Sequence, residues 1–207
     1  QNARLYREVE EWSGQLERLQ SIMSKLSRSK SVTSIAGIVA DELRNLLQYD
    51  NCRVWVLQES TNELVPLAVV SSSGEYSVEL LEDLRIGVGQ GITGHVAATG
   101  QPQIVGDAER DPRAYHVPGT SYIDESMILT PVDFDGRTIG VITLSRLGLN
   151  QFTEDDLRLL GIFASEAAIE FDNARLYQET QKKSRELLAS FHRVGDALAT
   201  GLDRNQT

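Results

Sequence analysis

The sequence predicts an α+β fold, in which long helices flank a sheet-forming middle. Three observations point to it. Apolar residues recur at helical spacing over residues 1–47 and again after Thr153. Between these stretches lie short β-rich runs bounded by turn signals, the strongest being Asp135-Gly136. The last helical pattern contains no proline and one glycine, Gly161, before Gly195.

Each element follows in order. Leu5, Val9, Trp12, Leu16, Leu19, Met23 and Leu26 alternate in steps of four and three, which is a heptad seam. The spacing predicts a partner helix, and docking of a single amphipathic helix on its own domain is the alternative. Ser27, Ser29 and Ser31 break the pattern. A second helix then presents Val32, Ile35, Ala36, Val39, Leu43, Leu46 and Leu47 on one face. Cys52–Leu57 and Leu64–Val70 read as a hairpin. Gly87, Gly89, Gly91 and Gly94 predict a tight turn into a short helix that stops at Gly100. Gln103–Val105 is a candidate strand, and residues 106–126 are polar and irregular. Met127–Phe134 and Thr138–Arg146 form a second hairpin. Thr153 caps the last helix, with Asp156 three residues on and acidic residues filling its first turn. Leu157, Leu160, Phe163, Ala164, Ala167, Ala168 and Phe171 are expected to cover the sheet. The seam turns polar at Glu179 and Lys183 and recovers at Leu187, Phe191, Val194 and Leu198.

The pentapeptide Asn-Ala-Arg-Leu-Tyr stands at residues 2–6 and again at residues 173–177. A separation of 171 residues is one domain plus a linker, far beyond a solenoid repeat. It predicts a piece of a tandem array. Residues 1–30 are read as an incoming linker helix, 31–172 as the domain, and 173–207 as a linker helix leading into a following domain. A relay or sensor fits such an array better than a free-standing enzyme.

The 207 residues are 41% hydrophobic and 24% charged, an ordinary globular composition able to bury one core. A formal net charge of −10 repels phosphate backbones and anionic lipid, so neither nucleic acid nor membrane is an expected partner. The lone cysteine, Cys52, precludes an internal disulfide and fits a reducing, cytoplasmic compartment.

Residues 32–171 resemble a GAF domain. The resemblance rests on Gly89-Gln90-Gly91-Ile92-Thr93-Gly94, Asp111-Pro112-Arg113, Ser126-Met127-Ile128-Leu129-Thr130-Pro131-Val132, and Phe152-Thr153-Glu154-Asp155-Asp156-Leu157. The strand Ile139–Leu144 lies between the last two. The resemblance implies a central antiparallel sheet of about six strands. The N- and C-terminal helices would cover one face, and loops with short helices would enclose a pocket on the other. It also implies a signalling context and homodimerisation through the flanking helices, beside neighbouring GAF and output domains.

Chemistry narrows the expectation further. The family's methionine sulfoxide reductases use several cysteines, and thiol redox of that kind needs a resolving thiol that Cys52 lacks. No Cys/His pair has zinc spacing. His95, His116 and His192 fall in different elements. His116, in Tyr115-His116-Val117-Pro118, is the haem-ligand candidate by resemblance, with a plain loop histidine as the alternative. Cyclic-nucleotide-binding relatives carry an Asn-Lys…Phe…Asp-Glu pattern. Here Asn150, Phe152 and Asp156 are kept, while Gln151 and Leu157 replace the Lys and the final Glu. No enzyme is expected and the cofactor is left unknown. The expected function is small-molecule sensing or signal relay along the C-terminal helix; a ligand-free structural spacer is the alternative. Candidate pocket residues, chosen by place in the fold, are Trp55, Ile104, Tyr115, His116, Tyr122, Ser126 and Ile128. The candidate dimer seam is Leu5, Val9, Trp12, Leu16, Leu19, Met23 and Leu26, with Leu187, Phe191, Val194 and Leu198.

Overall fold

A computed structural model describes residues 20–72, 84–115 and 123–203, with side chains described to residue 190. Helix α1 spans residues 20–28 of the described chain. Then follow α2 (Val32–Leu47), β1 (Asn51–Gln58), β2 (Glu63–Ser71), β3 (Ile86–Gly87), α3 (Gly91–Thr99), β4 (Gln103–Val105), β5 (Glu125–Phe134), β6 (Arg137–Leu147) and α4 (Glu154–Asp203). The six strands form one sheet in the order β3-β2-β1-β6-β5-β4, with every pairing antiparallel. This is the α+β architecture expected, and both hairpins are present. Strand β3, two residues long, carries no apolar run and was not expected from the residues alone.

Local chemistry sets the boundaries. Ser31 caps α2 by accepting from the Ser34 N–H, and Gln48 ends it in the left-handed region (φ 44°). Asp135 (φ 50°) and Gly136 (φ 72°) both take positive φ, as the primed turn of a two-residue hairpin requires. Thr153 and Asp156 form the reciprocal cap of α4. The Thr153 N–H donates to Asp156 Oδ2 at 2.8 Å, and the Asp156 N–H donates to Thr153 Oγ1 at 3.3 Å.

Because strand side chains alternate between faces, the sheet separates two apolar clusters. On one face Cys52, Val54, Ile128, Val132, Ile142 and Leu144 pack against α1, α2 and α4. On the other, Trp55, Leu129 and Val141 pack against Ile92 and Val96 of α3. Helix α2 contributes Ile35, Ala36, Val39, Ala40, Leu43 and Leu47, and α4 contributes Leu160, Phe163, Ala164, Ala167, Ala168 and Phe171. Leu46, expected on the packed face of α2, is exposed.

Helix α1 corrects one expectation. Its Leu26 is fully buried and Ile22 nearly so, both in the cluster that α4 completes. Met23 and Leu26 border Ile162, Phe163 and Glu166 of α4. The described part of the heptad seam therefore docks on its own domain, because α4 supplies the partner helix that the spacing demands. Lys25 holds α1 to α2 by a 2.6 Å ion pair with Glu42. Leu5, Val9, Trp12, Leu16 and Leu19 lie outside the described residues, as do the side chains of Phe191, Val194 and Leu198.

Helix α4 is continuous for 50 residues, about 75 Å. It leaves the domain through the second pentapeptide. Ala174 is buried, and Arg175 binds Asp172 at 2.6 Å and approaches Glu179 at 3.6 Å. Tyr177 lies 4.5 Å under the Lys30 ammonium. Beyond these contacts, residues 179–189 are exposed.

Candidate functional site

A small cavity of about 80 Å³ lies between the sheet and α3, on the face away from the helical layer. Strands β1 and β5 supply Arg53, Glu125 and Met127, and β3 supplies Ile86. Helix α3 supplies Gly91, Ile92 and Thr93, while the connection after β4 supplies Ala108, Glu109, Ala114 and Tyr115.

Two local structures hold its wall. The glycine turn seats α3. The Gly89 N–H donates to the Gly94 carbonyl, and the Gly87 N–H donates to the Gln90 side-chain oxygen. A Cβ at Gly94 would lie 2.3 Å from the Gly87 carbonyl oxygen, so this close approach demands glycine. The Asp111-Pro112-Arg113 segment is a clamp. Asp111 Oδ1 accepts from the Arg113 backbone N–H at 2.9 Å, and Oδ2 accepts from Arg113 Nη2 at 2.7 Å. Arg113 also donates to Gln103 on β4. The hydrogen bond from Arg113 holds the Asp111 carboxyl below its ordinary value. The clamp places Tyr115 against Gly91, where a Cβ would meet the tyrosine Cβ at 3.0 Å.

The sheet face that carries Arg53 and Met127 is polar beside the cavity. Register sets Arg53 opposite Thr143, and Asn51 and Met127 both opposite Ser145. All five therefore stand on one face of the β1-β6-β5 stretch. Asn51, Thr143 and Ser145 are at most 1% exposed. Among the described residues, Asn51 Nδ2, Thr143 Oγ1 and Ser145 Oγ have no hydrogen-bond partner, nor does the indole N–H of Trp55 next along the face.

The expected pocket residues divide. Tyr115 lines the cavity. Trp55 stands on the correct face but is fully buried in the apolar cluster beside it. Ile104 and Ile128 belong to the opposite face, packed with the helices, so both leave the site. Ser126 shares the face of Ile128 and accepts from the Gln151 N–H at 3.1 Å. The cause is alternation, since the neighbours Val105 and Met127 carry the cavity-side positions. His116 and Tyr122 lie outside the described residues. Arg53, Glu109 and Glu125 were missed. The available signal was Arg53 set between apolar Cys52 and Val54, in phase with Asn51.

Cys52 lies across the sheet from the cavity, fully buried among the helices. Burial pushes its thiol up to about 12, so it is not a thiolate near neutrality. Asn150, Phe152 and Asp156 also have structural work. The Asn150 N–H donates to the Gly106 carbonyl, Phe152 is buried 4.4 Å under the Arg146 guanidinium, and Asp156 caps α4. Arg146 also donates to the carbonyls of Leu47, Gln48 and Gln151, which ties the end of α2 to the start of α4. Among the described residues no His, Cys, Asp and Glu cluster could hold a metal ion. No described helix is long and apolar enough to cross a membrane.

The family model of the GAF domain matches residues 29–172. A dual cyclic-AMP and cyclic-GMP phosphodiesterase 11 of Drosophila melanogaster is 30% identical over 108 residues, half of this chain and 7% of that protein. The chain therefore spans a small fraction of that relative's length. Among solved structures, the GAF domain of a phosphoenolpyruvate-protein phosphotransferase from Coxiella burnetii superposes with a TM-score of 0.70. It is 21% identical and covers 79% of this chain and 96% of its own. A free methionine-R-sulfoxide reductase of Neisseria meningitidis, solved with its substrate, gives 0.65 at 24% identity, covering 77% and 89%. These structural likenesses concern the fold.

Proposed function

We propose, given that this chain belongs to the GAF domain family, that it is a regulatory small-molecule-sensing module without catalytic activity of its own. The observation that carries this reading is the cavity between the sheet and α3, walled by the clamped loop and lined by both charged and apolar side chains. A bound small molecule is the occupant such a mixed lining suits. Chemistry at the site has no obvious agent, because the only thiol is protonated and on the wrong face.

Signal output runs along α4. Ile162, Ile169 and Leu176 are about half exposed and seven residues apart, the repeat of a coiled-coil seam. A second copy of the chain is the occupant this stripe fits, with α4 against its symmetry mate. The stripe turns polar at Lys183 and resumes at the exposed Leu187. A ligand that favours one cavity shape biases how these helices pack.

The cavity volume favours a second reading. About 80 Å³ is well below the roughly 300 Å³ and above of ligand pockets for larger molecules. A ligand-free spacer that only dimerises would have such a remnant. Native mass spectrometry of gently purified protein separates the two. A dimer with reproducible extra mass supports sensing, and a bare dimer supports the spacer. For the relay, spin labels at Leu176 and Leu187 should report different interhelix distances when the retained molecule is removed. Identical distances would remove α4 as the output.

A further inference from the structure

We infer that two copies of this chain pair through α4 in antiparallel fashion, crossing at Ile169, so that Asp155 of each meets Lys183 of the other. The inference rests on the α4 dimer proposed above and adds its direction and register.

Spacing comes first. Ile162, Ile169 and Leu176 stand seven residues apart and are each about half exposed. One further step of seven reaches Asp155 on one side and Lys183 on the other, both exposed. The five form a ladder along α4: one acid, three apolar residues, one base. Seven residues fall about 20° short of two full turns, a drift that a left-handed supercoil removes. Helix α1 packs beside this strip, at Phe163 and Glu166, and leaves the strip open. About Ile169 the ladder is symmetric in spacing and in apolarity, and antisymmetric in charge.

Charge decides the direction. In a parallel pair each rung faces its own copy, so acid meets acid at Asp155 and ammonium meets ammonium at Lys183. Like charges at such positions destabilise helix pairing. Reversing one helix about Ile169 keeps the apolar rungs matched, Ile169 on Ile169 and Ile162 on Leu176. It also turns both like-charge rungs into Asp155–Lys183 pairs, because a two-fold axis makes each contact twice. Asp155 already pairs with Arg158 one turn along its own helix. That pair is exposed and weak, and a carboxylate has acceptor sites for both cations.

The whole helix is polarised in the same sense. Residues 154–172 carry six carboxylates and one arginine, whereas residues 173–189 carry four cations and two carboxylates. A parallel dimer would lay negative half on negative half, and an antiparallel one lays negative on positive. Lys183, which interrupts the apolar stripe and is a defect in a parallel seam, then becomes the counterpart of the acidic first turn.

The test uses the 207-residue chain, with nitroxide labels placed singly at Leu187 and at Asn173. Cys52 is fully buried and stays out of the labelling. Leu187 lies eighteen residues beyond the crossing point, so its two labels should stand about 54 Å apart, against about 10 Å in a parallel dimer. Labels at Asn173, four residues from the crossing, should lie within about 20 Å in either arrangement. Double electron–electron resonance and dipolar broadening read the two ranges. Sedimentation equilibrium reads the charge swaps. Lys183→Asp should weaken the dimer about fivefold or more, as should Asp155→Lys, and the double swap should return to within about twofold of the original. Asp155→Lys also removes an acid from the first turn of α4, so Lys183→Asp is the arm that leaves the fold untouched. A short distance at Leu187, or swaps without effect, would overturn the inference and leave the α4 dimer standing. Labels at Asn173 far beyond 20 Å, or a chain monomeric at every concentration, would remove both.

Discussion

Leu26→Ala tests where the incoming helix belongs. Leu26 is fully buried, inside the cluster formed by α1, α2 and α4. Replacing such a leucine costs roughly 2.7–5.0 kcal/mol, the spread reflecting how far the site collapses. Helix α1 is an outer layer whose near neighbour Met23 is adaptable, so the lower end applies, about 3 kcal/mol. With a urea m-value of about 2 kcal/mol/M, the midpoint should fall by roughly 1.5 M. The control is Leu176→Ala, at a position 49% exposed in one protomer. It should leave the midpoint of dilute protein within about 0.3 M and weaken self-association. Urea titration by circular dichroism and sedimentation velocity read the two effects. If Leu26→Ala left the midpoint unchanged and dissociated a dimer, α1 would be an intermolecular helix and the packing argument would fail.

Three further outcomes are expected. The Asp111–Arg113 clamp should weaken in acid. The folded carboxyl is held below the unfolded value near 3.8, so its stabilisation is complete above about pH 4 and is lost as pH falls through the folded value. Hydrogen exchange at Arg113 and Ala114 should rise there, and Asp111→Asn should abolish that pH dependence. Cys52 should resist Ellman's reagent in native protein and react fully in urea, and rapid native reaction would contradict its burial. Gly94→Ala should destabilise by about 1–3 kcal/mol because its Cβ meets the Gly87 carbonyl, whereas Gly161→Ala, with open space around it in α4, should stabilise by up to about 1 kcal/mol. Equal melting temperatures for the two variants would refute this contrast.

The elements were legible because each carried its own punctuation. Asp135-Gly136 fixed a hairpin, Gly100 ended α3, and Thr153 with Asp156 opened α4. The face of β5 was not legible. Every residue from Ser126 to Val132 is buried, since helices cover one side and the α3 layer the other. With both faces apolar the alternation of period two vanishes, and Ile128 cannot be told from Met127 by sequence. A comparable ambiguity governed α1. A helix packed on a neighbour of its own chain shows the same seam as one packed on another chain. The charged lining was hidden for a third reason. Glu109 and Glu125 fall within the stretch read as irregular, where carboxylates ordinarily mean solvent, and only the fold brings them to the cavity that Arg53 lines.

The unbroken course of α4 makes it a gear rather than a tether. Each residue in a helix advances the azimuth by about 100° and the axis by about 1.5 Å. Within α4, each position is therefore held at a fixed angle to the sheet as well as at a fixed distance. Adding seven residues within the exposed 179–186 stretch would move a downstream body outward by about 10 Å and return it almost to its original orientation. Adding two would swing it through more than half a turn while barely moving it outward. Linker length in such a protein should thus be quantised, with tolerated insertions and deletions falling near whole heptads.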